Sequence, residues 1–250
     1  MVSIDRNGNK IKVDLLSQND EVGGKKISEW IADWWNWSIS SRIDLNQTDD
    51  VYFLKILPKP NESTSEYRAE YTSSAVVLER QAILFPVLNT MIDDGTFPTE
   101  DTHTKRITMA RNENNASPIN LLSVTIDGQE ILPKSDLNKI RMSTAEFELE
   151  AINPPLVNLD FPIPTGRVLR AASDGYFACI KGLKADKNPY YLRIRAQGVG
   201  GYVVNILYLL YVASKEGIQF DLQLKPKVDK MIRKNIITFA QAKKQFPEIF

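Results

Sequence analysis

The sequence predicts a mainly β protein: an antiparallel, jelly-roll-like β-sandwich with a tryptophan-rich helix packed on it and a helical tail at the C-terminus. Three observations carry this. Short apolar or alternating runs bounded by turn residues recur between residues 50 and 213, the texture of an antiparallel two-sheet fold and not of βαβ units. All four tryptophans fall within "ISEWIADWWNWSISS", residues 27–41, at helical spacing. Beyond residue 213 the apolar period lengthens from two to between three and four.

Residues 1–24 are polar and end in "NDEVGG", so they are expected as an N-terminal arm outside the domain. In the stretch that follows, Ser28 suits a helix N-cap, and Glu29 and Asp33 favour the positive end of the helix dipole. At 100° per residue, Trp30, Trp34 and Trp37 share one stripe, and Ile31, Trp35 and Ile39 share the next. An apolar arc that wide belongs to a helix buried against something larger, and a sheet is the obvious partner. An interfacial membrane anchor would carry Lys or Arg on the polar face, which here is acidic.

The strand-like runs are "DVYFLKIL", "YRAEYTSSAVVLE", "AILFPVLN", "LLSVTIDGQEIL", "RMSTAEFELEAI", "RVLRAASDGYFACIKGL", "YYLRIRAQ" and "GYVVNILYLLYV". Asp127-Gly128 between two such runs is a two-residue hairpin signature. Residues 93–120 are too polar for a core and too long for a hairpin connection, so an elaborated loop with a short helix is expected there. The domain is thus drawn as 25–213, with residues 214–250 as an appendage. In that tail Val228, Ile232 and Ile236 form one helical stripe continued by Phe239, and lysines are interspersed. A basic amphipathic segment of this kind must cover its stripe on its own domain or on another chain, and these four residues are the candidate assembly contacts.

Several motifs, in order, resemble an uncharacterised family of bacterial and archaeal proteins. They are "EWIADWWNWSIS", "VYFLKI", "AILFPVLNT", "VTIDGQEI", "IRMSTAEFEL" and "SDGYFACIKGLK". The family pattern has a Trp-rich EWWxW helix, a VWFL strand, an ALLFPV strand, a hairpin and an SDGYW strand. The resemblance covers roughly residues 28–212 and implies a fold without a reaction or ligand. It also implies cysteines flanking the VWFL strand and preceding the ALLFPV strand. This chain has none there, so the disulfide they would form is missing.

Composition removes other classes. Lys plus Arg and Asp plus Glu number 31 each, so no global field favours nucleic acid as a partner. The lone Cys179 allows neither an internal disulfide nor a cysteine-based metal cluster, and inside an apolar strand it reads as a small buried hydrophobe. The first residues lack the apolar core of a signal peptide, and the run at 202–213 is too short to span a bilayer. A cytoplasmic or virion-associated protein is therefore expected rather than an extracellular one, with the sequons at Asn36, Asn46, Asn61 and Asn115 bare.

Signatures of catalysis are thin. His103 lies in a polar loop with no G-x-S-x-G elbow elsewhere, and "GVGG" at 198–201 lacks the Lys-Ser/Thr of a phosphate loop. Asp93, Asp94, Glu100 and Asp101 could offer oxygen ligands to calcium, but their spacing departs from the EF-hand loop and a solvated turn is the preferred reading, so no cofactor is expected. Asp174 in "AASDGYF" suits a bulge in a strand. It could alternatively pair with Glu29 or Asp33 as a glycosidase dyad, with Trp30, Trp34 and Trp37 stacking a sugar. The leading expectation is a non-enzymatic structural or assembly protein, a homo-oligomer of the virion, sheath or surface-layer kind. A carbohydrate or small-ligand module using Trp30, Trp34, Trp37, Asp33 and Asp174 is the alternative, and a carboxylate-based hydrolase the second.

Overall fold

The computed structural model describes residues 2–6, 9–40, 50–54, 59–60, 67–116, 119–132, 136–150, 166, 168–186, 188–198 and 203–214. The elements begin with β1 (Val2–Arg6), β2 (Asn9–Leu16), β3 (Glu21–Val22), β4 (Lys25–Lys26) and helix α1 (Ile27–Ser40). Next come β5 (Val51–Phe53), β6 (Lys59–Pro60), β7 (Tyr67–Leu78), β8 (Ala82–Asp93) and α2 (His103–Ala116). Then follow β9 (Ile119–Ile126), β10 (Gln129–Leu132), α3 (Leu137–Ile140), β11 (Arg141–Ser143) and β12 (Phe147–Glu150). The long strands β13 (Val168–Lys181), β14 (Tyr190–Gly198) and β15 (Val203–Ala213) complete the set.

The protein is mainly β with few helices, and its sheets are mixed. A seven-stranded sheet runs β1-β2-β13-β8-β5, with β11 and β12 also pairing β13. A six-stranded sheet runs β10-β9-β14-β15-β7-β6. The purely antiparallel expectation is corrected at two places, because β5 pairs β8 in parallel and so does β7 with β15. Residues expected as an N-terminal arm instead supply strands: β1 pairs β2, and β2 joins β13 through Leu16 opposite Cys179. The candidate assembly residues Val228, Ile232, Ile236 and Phe239 lie outside the described residues.

Both sheets feed one apolar cluster. From the seven-stranded sheet come Ile83, Phe85, Val87, Ala178 and Ile180; from the other come Val124, Ile126, Leu192, Ile194, Ile206 and Leu210, among others. The alternate residues of β8 and β13, Ala82, Leu84, Phe177 and Cys179, face the opposite way into a second cluster with the tryptophans of α1. Strand pleating thus turns one long β8–β13 ribbon into a floor for two cores. Pro86, which cannot donate to a ladder, sits at the bulge where Tyr176 pairs Leu88 but Phe177 pairs Pro86.

The Asp127-Gly128 hairpin forms as expected, with Gln129 opposite Ile126 and positive φ at both turn residues, 50° and 82°, as a type I′ turn requires. Gly175 has a different reason to be glycine. A Cβ there would lie 2.5 Å from the Cα of Asn89, its partner across the ladder, and 2.7 Å from the Leu88 carbonyl oxygen. Gly175→Ala is expected to lower stability by about 1–3 kcal/mol through overpacking, read as a lower denaturation midpoint. An unchanged midpoint would show that the ribbon spreads freely at this point.

Helix α1 starts one residue before the predicted Ser28 cap, and Glu29 takes the capping role by accepting the Lys26 N–H at 2.8 Å. Trp30 donates its indole N–H to the Val22 carbonyl at 2.9 Å, and Trp34 to the Leu54 carbonyl at 3.0 Å. Asn36 donates to the Glu148 carbonyl at 2.9 Å and so ties the helix to β12. The Trp34 ring meets Phe177 edge-on at 6.0 Å and Trp37 meets Phe53 at 5.6 Å, separations typical of favourable aromatic pairs.

Cys179 is fully buried under this layer, and burial pushes its thiol from 9.0 up to about 12. A pKa raised on folding favours the protonated native thiol. Its contribution is complete below about pH 9 and is lost as the pH rises toward 12. Relative to Cys179→Ala, the wild type is therefore expected to lose up to about 1.4 kcal/mol per pH unit above pH 9. Denaturant titrations across alkaline pH check this, and a constant difference between the two proteins would contradict it.

Candidate functional site

Among the described residues, a dense group of charged and polar side chains gathers around Asp174, in the middle of β13. Its backbone pairs with Thr90 of β8 on one side and Ser143 of β11 on the other. Its side chain takes the pleat face of Tyr176, Ala178 and Ile180, the face that also meets the six-stranded sheet. Over this part of the ribbon α2 packs against β8 and β13.

Asp174 is 1% exposed. Its Oδ1 accepts from Arg141 Nη2 at 2.9 Å and Nε at 3.2 Å, and its Oδ2 accepts from the Ser143 hydroxyl at 2.7 Å. Arg111 Nε of α2 stands 3.6 Å from the same Oδ2, and its Nη2 donates to Ser143 Oγ at 3.2 Å. Arg141 also donates to Asn115 at 2.7 Å and lies over the Tyr176 ring at 5.8 Å. Below them Asn114 donates to the main-chain carbonyl of Asp174 at 2.8 Å.

The network continues toward the start of α2. Ser173 donates its N–H to Thr144 Oγ1 at 2.9 Å and its hydroxyl to the Thr90 carbonyl at 2.9 Å. Arg106, fully buried, donates to the Glu100 carbonyl at 2.8 Å and pairs with Glu146. His103 is half-buried, its Nε2 3.3 Å from the Thr144 carbonyl oxygen. The chemistry of the group is charge pairing. One buried carboxylate is set against two guanidiniums, accepting hydrogen bonds from Arg141 and Ser143 of β11 with Arg111 of α2 at ion-pair distance. What it accomplishes is to fasten a polar helix to a sheet.

The other sequence-derived candidates lie elsewhere. Trp30, Trp34 and Trp37 are 5%, 2% and 3% exposed, so their rings are core and offer no face for stacking a sugar. Asp33 pairs with Lys25 at 2.7 Å, and Lys25 in turn lies 4.8 Å over the Trp30 ring. Because α1 packs on the Phe177–Cys179 face, the sheet stands between Asp174 and the acids Glu29 and Asp33. The structure does not bring them together as a dyad. In the acidic turn, Asp93 accepts the Gly95 and Thr96 N–H groups at 2.9 and 2.7 Å, Asp94 accepts the Arg170 N–H at 3.1 Å, and Asp101 pairs with Lys105. Among the described residues no three His, Cys, Asp or Glu side chains are grouped to hold a metal ion.

Sequence reasoning missed Arg111, Arg141, Ser143 and Asn114. The one available signal was the spacing of Arg106, Ala110 and Asn114, four residues apart on what proves to be the buried face of α2.

A second feature is a surface. The described helices pack chiefly on the seven-stranded sheet, and the outer face of the six-stranded sheet mixes polar and apolar rows along β15. At one end Val203 pairs Gln197, which pairs Leu121, 47% exposed, and next to them Asn205 lies in a row with Arg195 and Glu70. Next, Leu207 is flanked by Arg193 and Thr72, and Leu209 by Tyr191 and Ser74. At the far end Tyr211 pairs Val76 and Ala213 pairs Leu78. Tyr191 is 47% exposed, and Leu207, Leu209, Val76 and Leu78 are half-buried.

Compared with protein-family models, curated proteins and solved structures, the chain matches none. No helix among the described residues is long and apolar enough to cross a membrane.

Proposed function

We propose that this chain is a non-enzymatic interaction protein, a sandwich-type body that assembles with further copies of itself through the outer face of its six-stranded sheet. The observation that carries the reading is the apolar end of that face, where Tyr191, Leu207, Leu209, Val76 and Leu78 adjoin across three strands. Apolar surface of this continuity, rimmed by the Arg195–Asn205–Glu70 row, is the pattern of an association site. The sandwich reading draws support from the single cluster fed by both sheets. The non-enzymatic reading draws support from the employment of Asp174, Arg106 and Asp33 in joining elements. Subunits of virions, sheaths or surface layers have these needs: a rigid body and a face that recognises copies.

Leu209→Glu tests this. The side chain points outward, so the variant is expected to keep its fold, while a charge at the centre of the contact lowers the mass measured by light scattering toward that of the monomer. A folded variant with the wild-type mass would remove the face from the assembly.

A further inference from the structure

Helix α2 docks outside both cores. Its buried apolar side chains, Ile107 and Ala110, belong to neither apolar cluster. Nor do Ile92 and Ala172, which pair across β8 and β13 on the face beneath the helix. The rest of its buried face is Arg106 and Asn114, and Asn114 bonds Thr90 and the Asp174 carbonyl on that same face. We propose that α2 is a latch released by salt, with the Arg111–Asp174 ion pair as its catch, and that it opens as a unit from the β8–β13 face while both sheets stay paired.

The charges that hold the helix stand within reach of solvent ions. Arg111 is 52% exposed while it faces Asp174, and Glu146 is 36% exposed while it pairs with Arg106. Pairs so placed are screened as the Debye length falls from about 10 Å at 0.1 M salt to about 3 Å at 1 M. The apolar clusters that hold the sheets have no charges to screen. The closed state also carries a cost that opening relieves. Arg106 is fully buried, and its Nε–H meets no acceptor although Nη1 donates to the Glu100 carbonyl and Nη2 pairs with Glu146. A buried unpaired donor destabilises the state that contains it, and solvent satisfies it once the helix lifts. Finally, opening does not strand Asp174. Arg141 Nε and Nη2 and the Ser143 hydroxyl reach its carboxylate from β11, at 3.2, 2.9 and 2.7 Å, and β11 is itself paired to β13. When Arg111 leaves, the carboxylate keeps a counter-charge in the sheet, so the penalty of a lone buried charge does not arise.

Native-state hydrogen exchange of the intact chain tests this, at about 0.05 M and about 1 M sodium chloride, with protection read separately for residues 107–114 and for β8 and β13. At high salt residues 107–114 are expected to lose protection together, by about fivefold, the scale of partly exposed ion pairs. Strands β8 and β13 are expected to keep theirs. Arg111→Gln is expected to lower the protection of residues 107–114 several-fold at low salt and to differ less from the wild type at high salt, because salt and substitution weaken the same pair. Protection of residues 107–114 that equals that of β13 at both salts, or that ignores salt, overturns the latch. An Arg111→Gln effect of the same size at both salts overturns the Arg111–Asp174 pair as its catch.

Discussion

Replacing Trp34 by alanine is expected to lower the unfolding free energy by about 3–5 kcal/mol, the range for truncating a large buried aromatic side chain. The ring is 2% exposed and stands at the centre of the α1 layer, within ring-contact distance of Trp35, Trp37 and Phe177. Truncation removes these contacts together and also leaves the Leu54 carbonyl without its indole donor. An acceptor stranded in an apolar cluster adds its own desolvation cost. Chemical denaturation followed by far-ultraviolet circular dichroism measures the effect, independently of the lost fluorophore. A loss below about 1 kcal/mol would mean that the layer is not packed as described.

Asp174→Asn is expected to cost about 3 kcal/mol. Removing one partner of a buried ion pair strands the other charge, and this exceeds what the intact pair contributes. The low end of the range applies because the Arg141 and Arg111 side chains are 28% and 52% exposed, and water takes up part of the charge. The loss should concentrate in α2, whose attachment runs through Arg111, Asn114 and Asn115 to this residue and its neighbours. Hydrogen exchange is expected to show faster exchange at residues 106–116 while β14 and β15 stay protected. Equal loosening of both regions, or of neither, would contradict the fastening role.

Much of the fold was legible because its signals are local. The tryptophan helix could be read from spacing, and the Asp127-Gly128 hairpin from turn chemistry. For residues 1–24 the polar composition suggests an arm, while the alternation of Val2, Ile4, Ile11, Val13 and Leu15 around Asn7-Gly8 carries the same signature as the later hairpin and matches the pairing of β1 with β2. Helix α2 was legible only as a short helix within the 93–120 loop, because its buried face holds Arg106 and Asn114 beside Ile107 and Ala110, and periodicity reads apolar stripes, not hydrogen-bonded polar ones. The parallel pairs β5–β8 and β7–β15 join strands distant in the chain, and local pattern carries no information about such partners. The Asp174 cluster was invisible on the same ground, since its arginines arrive from α2 and β11. Asp174 stood out only through its neighbour Gly175, and the reason for that glycine is the close approach of β8.

The proposed association of this body with its own copies through a sheet face is tested most directly by sedimentation velocity of the intact chain over a broad concentration series. Species heavier than the monomer are expected, growing with concentration and disappearing in Leu209→Glu. A single monomeric boundary at every concentration would contradict it.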